Sequence, residues 1–150
     1  MSSSPFSADD RTGAGAVRRF NEQPPWGPLP SMLGVEMLEI ELELVRARIG
    51  VTERLLAGTG YLWAPVVVGL ADALCAAGTG ASLPEGATFT TIELKTNFLG
   101  SARAGEEVVG EARPAHRGRT TQVWDVTVTN TTSGRVIALQ RCTQMVLYPR

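Results

Sequence analysis

The stretch of sequence that decides the fold runs from Ala64 to Gly78 and reads APVVVGLADALCAAG. It is apolar on nearly every side. Pro65 suits the first turn of a helix, because the N–H that proline lacks has no acceptor there. We therefore predict one long helix, about 22 Å in length at 1.5 Å per residue. Such a helix has to be covered on most of its sides.

The predicted helix has a bulky face and a small face. The bulky face holds Trp63, Val67, Leu70, Leu74 and Ala77, and the small face holds Val68, Gly69, Asp72, Cys75 and Ala76. Asp72 is the only charge between Leu55 and Pro84. A central Asp costs about 2.5–3.5 kcal/mol in a membrane span, and glycines interrupt the segment. We interpret it as a buried helix of a soluble protein, with a membrane span as the alternative.

Alternation with period two on both sides of this helix predicts strands. The inward set of the first strand is Leu38, Ile40, Leu42 and Leu44. From Val45 onward the apolar phase slips by one residue, which predicts a bulge or tight bend near Leu44 and a second strand after it. Four further strands are predicted over residues 90–98, 106–115, 120–129 and 135–147. Short turns between them indicate antiparallel pairing.

Six strands and one helix predict an α+β domain in which a curved antiparallel sheet wraps the helix. A second copy of the chain would cover the small face of the helix. Residues 1–15 are predicted to be frayed, residues 16–23 to form a short helix, and the four prolines within residues 24–30 to exclude helix and central strand. We divide the chain into an N-terminal extension, residues 1–30, and a domain, residues 31–150.

Composition excludes several classes of protein. Lys and Arg number 14 against 15 Asp and Glu, so the chain lacks the basic excess of a nucleic-acid-binding protein. Two cysteines and one histidine are too few for a disulfide scaffold or a zinc motif, and we predict no metal and no cofactor. The scarcity of cysteine and the lack of an apolar N-terminal segment favour a cytoplasmic protein.

Asp72 is the strongest candidate for chemistry. An isolated ionised carboxylate inside a buried helix is costly, so this side chain must be hydrogen-bonded, protonated or open to a cleft. Proteins tolerate such a conflict where function requires it. The alternative is a structural Asp bonded to a strand or a subunit interface. The N-terminus of the same helix, after the loop from Gly58 to Trp63, offers free N–H groups that could bind an oxyanion, although a plain glycine loop is the alternative.

Three segments together resemble a known family. They are Gly60 to Ala77, Leu83 to Gly86, and the run TTIELKTNFLG from Thr90 to Gly100. A Leu-Ala-Asp helix followed by a Glu-Leu-Lys-x-Asn-Phe-Leu strand resembles the hotdog-fold acyl-CoA thioesterases of the phenylacetate-pathway type. The similarity spans about residues 33–148. It implies a hotdog fold, a homodimer or homotetramer, and hydrolysis of a thioester, with coenzyme A as part of the substrate.

The resemblance also implies residue roles. A helical Asp or Glu is the family's general base or nucleophile, and Asp72 matches it. The family's His-Gly-Gly or His-Ala-Gly, nine residues ahead of the carboxylate, is replaced by Trp63-Ala64-Pro65. The Ala64 N–H would bind the thioester carbonyl, and Thr91 of a partner subunit would hold the water.

Further positions are implied for the substrate. They are Thr59, Trp63, Pro65, Val68 and Asn97. Thr59 stands for an Asn or Gln of the family, and Trp63 is bulkier than His and would narrow the acyl pocket. Arg117 and Arg119 flank a turn where the family often binds CoA phosphates, which suits the forked donors of arginine; ordinary solvated turn charges are the alternative. Lys95 is a weaker candidate for the phosphates.

The sequence therefore predicts a thioesterase acting on an acyl-CoA or acyl-carrier thioester. The altered Trp63-Ala64-Pro65 loop supports a second hypothesis, a non-catalytic hotdog protein that binds an acyl-CoA or another apolar ligand. Hydratase chemistry on the same fold is less favoured, because the loop lacks the paired Asp and His that it uses.

Overall fold

The computed structural model describes residues 10–149. Its helices are α1 (Gly13–Glu22), α2 (Leu29–Met32) and α3 (Ala64–Ser82). Its strands are β1 (Glu36–Ile40), β2 (Val45–Gly50), β3 (Thr88–Phe98), β4 (Glu107–Arg117), β5 (Thr121–Asn130) and β6 (Arg135–Leu147). Within these residues, two strands thus precede the long helix and four follow it, as the alternation predicted.

The six strands form one antiparallel sheet in the order β1-β2-β4-β5-β6-β3. This sheet wraps α3, which contacts every one of its strands. The predicted α+β hotdog architecture is therefore confirmed. The order leaves β1 and β3 as the edges of the sheet, and it places β3 beside β6, far from its neighbours in sequence.

Helix α3 is the centre of the core. Leu70, Leu74 and Cys75 have no exposed surface, which places Cys75 in the core rather than on the open small face. By length and composition α3 could cross a membrane, but most of it is buried inside the protein, as expected of a core helix. It continues four residues past the predicted end at Gly78, and Leu83 is extended (ψ 143°) as a residue before proline prefers to be.

Small residues let the sheet approach this helix closely. A Cβ on Gly78 would lie 2.4 Å from the ring of Trp124, and a Cβ on Gly110 of β4 would lie 2.5 Å from Leu74. Trp124 is fully buried. The fit of α3 against the sheet thus depends on two positions that have no side chain.

The first strand differs from the prediction. Met37 and Ile40 are its buried residues, whereas Leu38 and Leu42 are 38% and 45% exposed. The register shifts between Met37 and Glu39, so the irregularity falls inside β1 and turns Leu38 outward. Near Leu44, where a bulge or tight bend was predicted, the chain makes a tight turn, in which the Glu41 N–H donates to the Leu44 carbonyl (2.9 Å). The inward set after the slip, Val45, Ala47, Ile49 and Val51, is confirmed.

The N-terminal region also corrects the prediction. α2 begins within the proline-rich segment, because Pro30 lies in its first turn, where the missing N–H costs nothing. α1 packs on β1, and Asn21 exchanges two hydrogen bonds with the backbone of Met37 (2.7 and 3.0 Å). Residues 1–9 of the segment predicted to be frayed lie outside the described residues, and Gly13 already belongs to α1. The domain boundary at residue 30 stays a prediction.

Strand β3 is exposed along almost its whole length. Leu94 pairs with Cys142 and Phe98 pairs with Ala138, and both of these β6 residues are fully buried. Paired residues of neighbouring strands share a face, so Leu94 and Phe98 lie on the inward face of the sheet. They are nevertheless 42% and 48% exposed, so the described residues leave this half of β3 uncovered.

Candidate active site

Asp72 lies in the middle of α3, on the one stripe of this helix that the sheet leaves partly open. The half-buried residues of the helix's central turns are Val68, Gly69, Asp72 and Ala76. They follow three-four spacing, which places them on one side of a helix. Asp72 is therefore neither sealed in the core nor fully solvated, and it faces the side on which a ligand or a second chain could approach.

Among the described residues, two side chains contact the carboxylate. The hydroxyl of Thr91 on β3 donates a hydrogen bond to Oδ1 at 3.2 Å, and the thiol of Cys142 on β6 lies 4.0 Å from the same oxygen. Burial raises the pKa of Asp72 above its ordinary value, because it penalises the charged form, and the bond from Thr91 partly opposes this shift. A carboxylate with a raised pKa is a stronger proton acceptor once ionised, which suits a general base.

The contact with Thr91 is made within one chain. The resemblance implied that the threonine comes from a partner subunit, whereas here Thr91 of the same chain contacts Asp72. The reason is the position of β3 beside β6, which brings Thr91 opposite Gln144 and over the middle of α3. Asp72 and Thr91 thus form a preassembled pair.

The second candidate feature is the N-terminus of α3. Trp63 is the residue before the helix, Ala64 is its first residue and Pro65 its second. The Trp63 N–H donates to the Leu55 carbonyl (3.0 Å), which holds the loop in place. The Ala64 N–H has no acceptor inside its own helix, because the first N–H groups of any helix lack one. Ala64 is exposed, so this N–H is open to a ligand.

A single chain does not bring Ala64 and Asp72 together. They are eight residues apart on one helix, which separates them by about 12 Å along its axis. One thioester carbonyl cannot contact both. The chain therefore carries two candidate half-sites, the Ala64 N–H at the helix start and the Asp72–Thr91 pair in its middle.

The other predicted positions are spread around these half-sites. Trp63 is 56% exposed, so its ring is not part of the core. Thr59 is exposed in the loop before α3, and Val68 is half-buried one turn ahead of Asp72. Asn97 is exposed on β3, where its side-chain oxygen accepts a hydrogen bond from Lys95. Pro65 is exposed in the first turn of the helix, as predicted.

The arginines at the β4–β5 turn have partners within the chain. Arg117 donates to Glu43 Oε1 at 2.9 Å and to the Leu42 carbonyl. Its charge is thus already partly neutralised. Arg119 is exposed, and its carbonyl accepts a hydrogen bond from the Tyr148 hydroxyl (2.6 Å). The structure places both at the edge of the molecule. Within residues 10–149, no three His, Cys, Asp or Glu side chains gather to hold a metal ion.

Two residues near Asp72 were missed by the sequence analysis. Cys142 and Gln144 both face inward from β6 and have no exposed surface. Gln144 Oε1 lies 3.0 Å from Thr91 Oγ1, and Gln144 Nε2 lies 3.2 Å from Cys142 Sγ. The available signal was a glutamine at an inward position of a strand whose neighbouring inward residues are mostly small or apolar. A buried amide of this kind needs a polar partner.

The sequence and the fold of this chain are similar to those of known proteins. Residues 59–137 match the Thioesterase superfamily. The chain is 30% identical over 115 residues to a 1,4-dihydroxy-2-naphthoyl-CoA hydrolase of Listeria monocytogenes serotype 1/2a (strain 10403S), which covers 77% of this chain and 92% of that protein.

Solved structures show the same fold. A protein of Streptococcus mutans UA159, crystallised with acetyl CoA bound, is 27% identical with a TM-score of 0.70, over 77% of this chain and 90% of that one. The PaaI protein of the phenylacetic acid degradation operon of E. coli has a TM-score of 0.75 at 19% identity, over 89% of this chain and 95% of that one, and shows likeness of fold alone. The match from residue 59 to residue 137 covers more than half of the chain, and the chain belongs to the Thioesterase superfamily.

Proposed function

We propose that this protein hydrolyses an acyl-CoA or acyl-carrier thioester to the free acid and the thiol. The observation that carries the proposal is the half-buried Asp72 carboxylate, held by Thr91 on the open stripe of the core helix. Membership of the Thioesterase superfamily supports this reaction class. A relative named as a hydrolase of an aromatic acyl-CoA supports a CoA thioester as the substrate.

Asp72 supplies the base. Its carboxylate accepts a proton from a water molecule whose oxygen forms a bond to the thioester carbonyl carbon. The C–S bond then breaks, and the departing thiolate takes up a proton. Asp72 attacking the carbonyl carbon directly, with water cleaving the resulting anhydride, gives the same products. The Ala64 N–H donates to the carbonyl oxygen as negative charge develops on it.

Two copies of the chain complete the site. The separation of about 12 Å along the helix means that Ala64 of one copy must meet Asp72 and Thr91 of the other. The uncovered inward face of β3, with Leu94 and Phe98, supplies apolar surface for this pairing. A homodimer thus contains two equivalent sites, and dimers can pair further into tetramers through the remaining sheet surface.

The acyl group lies beside Trp63, Pro65 and Val68. Trp63 narrows this pocket relative to the histidine usual in the family, and Thr59 lines its entrance. Asn97, Arg117 and Arg119 contact the CoA portion, with Arg117 exchanging Glu43 for phosphate. The reaction needs no cofactor besides the coenzyme A of its substrate. We place the protein in the cytoplasm, in line with its two free, buried cysteines.

Variants at the two half-sites test both the reaction and the pairing. We expect Asp72→Asn to lower acyl-CoA hydrolysis by about 10²–10⁴-fold, the range of general-base help. Ala64→Pro removes one N–H and is compatible with the extended Trp63 (ψ 132°) before it, so we expect a loss of about 10²–10³-fold. Ala64→Gly keeps the N–H and serves as the control. Free-thiol release measures the activity.

A mixed dimer distinguishes a shared site from a single-chain site. Co-expression of differently tagged Asp72→Asn and Ala64→Pro chains, followed by tandem purification, gives dimers with one intact shared site. We expect these dimers to recover about half of the wild-type activity. If each chain carried a complete site, both sites would be defective and no recovery would occur.

The altered loop favours one second candidate, a binding protein without turnover. Pro65 removes an N–H where the family usually has glycine, so the start of α3 offers fewer donors to an oxyanion. Across a panel of aliphatic and aromatic acyl-CoA substrates, saturable binding without thiol release would support this candidate and exclude hydrolysis.

A further inference from the structure

Four side chains form a closed circuit around the proposed base. Thr91 Oγ1 lies 3.2 Å from Asp72 Oδ1, and Gln144 Oε1 lies 3.0 Å from Thr91 Oγ1. Gln144 Nε2 lies 3.2 Å from Cys142 Sγ, which in turn lies 4.0 Å from Asp72 Oδ1. Gln144 has no exposed surface, so water does not compete for its amide.

The hydrogen atoms of this circuit can be assigned. Thr91 has one hydroxyl hydrogen and two nearby oxygens, Asp72 Oδ1 and Gln144 Oε1. An ionised carboxylate is the stronger acceptor, so the hydrogen goes to Asp72 when the latter is charged. Gln144 then has to present an N–H to Thr91. A half turn, a 180° rotation of the Gln144 amide group, exchanges its O and N atoms and places the N–H beside Thr91. It fits in the same space, because the two ends have the same shape.

We propose that Gln144 is a positioning residue, which donates an amide N–H to Thr91 Oγ1 and so directs the Thr91 hydroxyl hydrogen at the Asp72 carboxylate. After the half turn, the Cys142 thiol donates to the amide oxygen, so the Thr91 hydroxyl, the Cys142 thiol and one amide N–H of Gln144 each have an acceptor within the circuit. The role of the circuit in turnover rests on the proposed function of Asp72. The effect of the circuit on the pKa of Asp72 does not depend on that proposed function.

The surroundings of Asp72 allow the effect of the Thr91 bond on its pKa to be separated from the effects of other charges. Among residues 10–149, the thiols of Cys75 on its own helix and Cys142 on β6 are the ionisable groups that interact with the carboxylate. None of the ion pairs formed among residues 10–149 involves Asp72. Burial raises its pKa, and the bond from Thr91 is the contact that lowers it. Loss of that bond therefore raises the pKa further.

The chain contains a matched control four residues earlier on the same strand. Gln140 also lies on β6, is 3% exposed, and accepts a hydrogen bond from a β3 threonine, Thr96, at 2.6 Å. Gln140→Met and Gln144→Met thus remove the same kind of buried amide from the same strand pair. Among the described contacts, only the Gln144 pair continues to Asp72.

We expect Gln144→Met to lower kcat/KM by about tenfold, as the loss of one hydrogen bond to a charged group does. The acidic limb of its pH–rate profile should move to higher pH, whereas Gln140→Met keeps the wild-type limb. Thr91→Val should move the limb in the same direction. Adding Gln144→Met to Thr91→Val should change nothing more, because Gln144 acts through the hydroxyl that Thr91→Val has already removed. In Thr91→Ser, which keeps the hydroxyl, Gln144→Met should still act.

Carbon-13 NMR titration of the Asp72 carboxyl gives a readout without substrate. A higher pKa in Gln144→Met than in the wild type and in Gln140→Met supports the inference, even if no thioester is hydrolysed. Equal Asp72 pKa values in the two glutamine variants, or full additivity of Gln144→Met with Thr91→Val, would overturn it. If Gln144→Met fails to fold, the Asp72 pKa in Thr91→Val against Thr91→Ser decides whether the hydroxyl acts on Asp72. Equal values there would also overturn the inference.

Discussion

At the scale of the residue, Asp72 is energetically unfavourable at its position in the core helix. Aspartate is a mediocre helix former, and burial disfavours its charge. The structure offsets this conflict only in part, through one hydroxyl and the open stripe of α3. A stable core helix would be better served by an uncharged side chain, so the carboxylate is most simply explained by the reaction proposed for it.

Asp72→Asn should make the folded chain more stable at neutral pH. The native pKa of Asp72 is raised. The folded state therefore keeps a proton that the unfolded chain releases, and stability falls as pH rises from the unfolded to the folded pKa. Asparagine avoids this loss. Urea unfolding at neutral pH should show the gain, and it should vanish near pH 4, about the pKa of an unfolded aspartate.

Asp125→Asn serves as a control, because its expected effect on stability at neutral pH has the opposite sign. The side chain of Arg141 donates two hydrogen bonds to Asp125 (2.6 and 2.7 Å), and these lower the pKa of that carboxyl. Its contribution is present above the unfolded pKa and is lost as pH falls through the folded one. Asp125→Asn should therefore slightly lower stability at neutral pH, by about 0–1 kcal/mol for a surface pair. A loss of stability in Asp72→Asn as well would contradict the assignment of a raised pKa.

At the scale of the element, close packing fixes where α3 lies on the sheet. Gly78 and Gly110 let the helix and strands approach until a Cβ at either would meet a buried ring or a leucine. Because Asp72 belongs to this helix and Thr91 to the far edge of the sheet, the same packing sets the distance between them. The glycines are thus part of what builds the site.

Replacing Gly78 tests this packing. Gly78→Ala adds a methyl group 2.4 Å from the fully buried Trp124, so we expect a loss of about 1–3 kcal/mol from overpacking. Gly69→Ala is the matched control, because its methyl would meet only the end of the Leu33 side chain, which can move. The gain in helix propensity, up to about 1 kcal/mol, should leave that variant near the wild type. Urea unfolding of both variants measures the difference, and equal stabilities would contradict the packing argument.

At the scale of the whole molecule, the sheet is unfinished at β3. Its inward face carries Leu94 and Phe98, which stay largely exposed. An open, apolar edge strand is a template for pairing with another chain. The same edge carries Thr91, so a second copy that covers it would also close the site.

Phe98→Asp should separate the proposed dimer. The charge would fall in the centre of the apolar contact, and light scattering coupled to size-exclusion chromatography should report the mass of a single chain. Thioester hydrolysis should be lost when the dimer separates, because Ala64 of one copy then no longer meets Asp72 of the other. Leu29→Asp changes an apolar residue of similar exposure (59%) on α2 rather than on β3, and should keep both dimer and activity. An active monomer of Phe98→Asp would exclude the shared site.

Much of the fold and the candidate site could be predicted from local pattern. The apolar run after Ala64 predicts the core helix, the alternation predicts the strands, and a lone charge in an apolar helix singles out Asp72. Two of the errors have the same kind of cause. Leu38 points outward because of a bulge, and Pro30 lies within a helix because of its position in a first turn. Both outcomes depend on backbone geometry that a residue pattern does not specify.

The sequence by itself determined that a helix with one carboxylate would be wrapped by antiparallel strands. The spacing of apolar residues and the placement of turn-forming residues, which predict this, are local properties of the chain. Only the tertiary structure decided that β3 pairs with β6, that Thr91 of the same chain meets Asp72, and that Gln144 lies behind it. Those contacts join residues 19 to 53 positions apart. They are selected by strand order and register, which depend on how all the elements pack together.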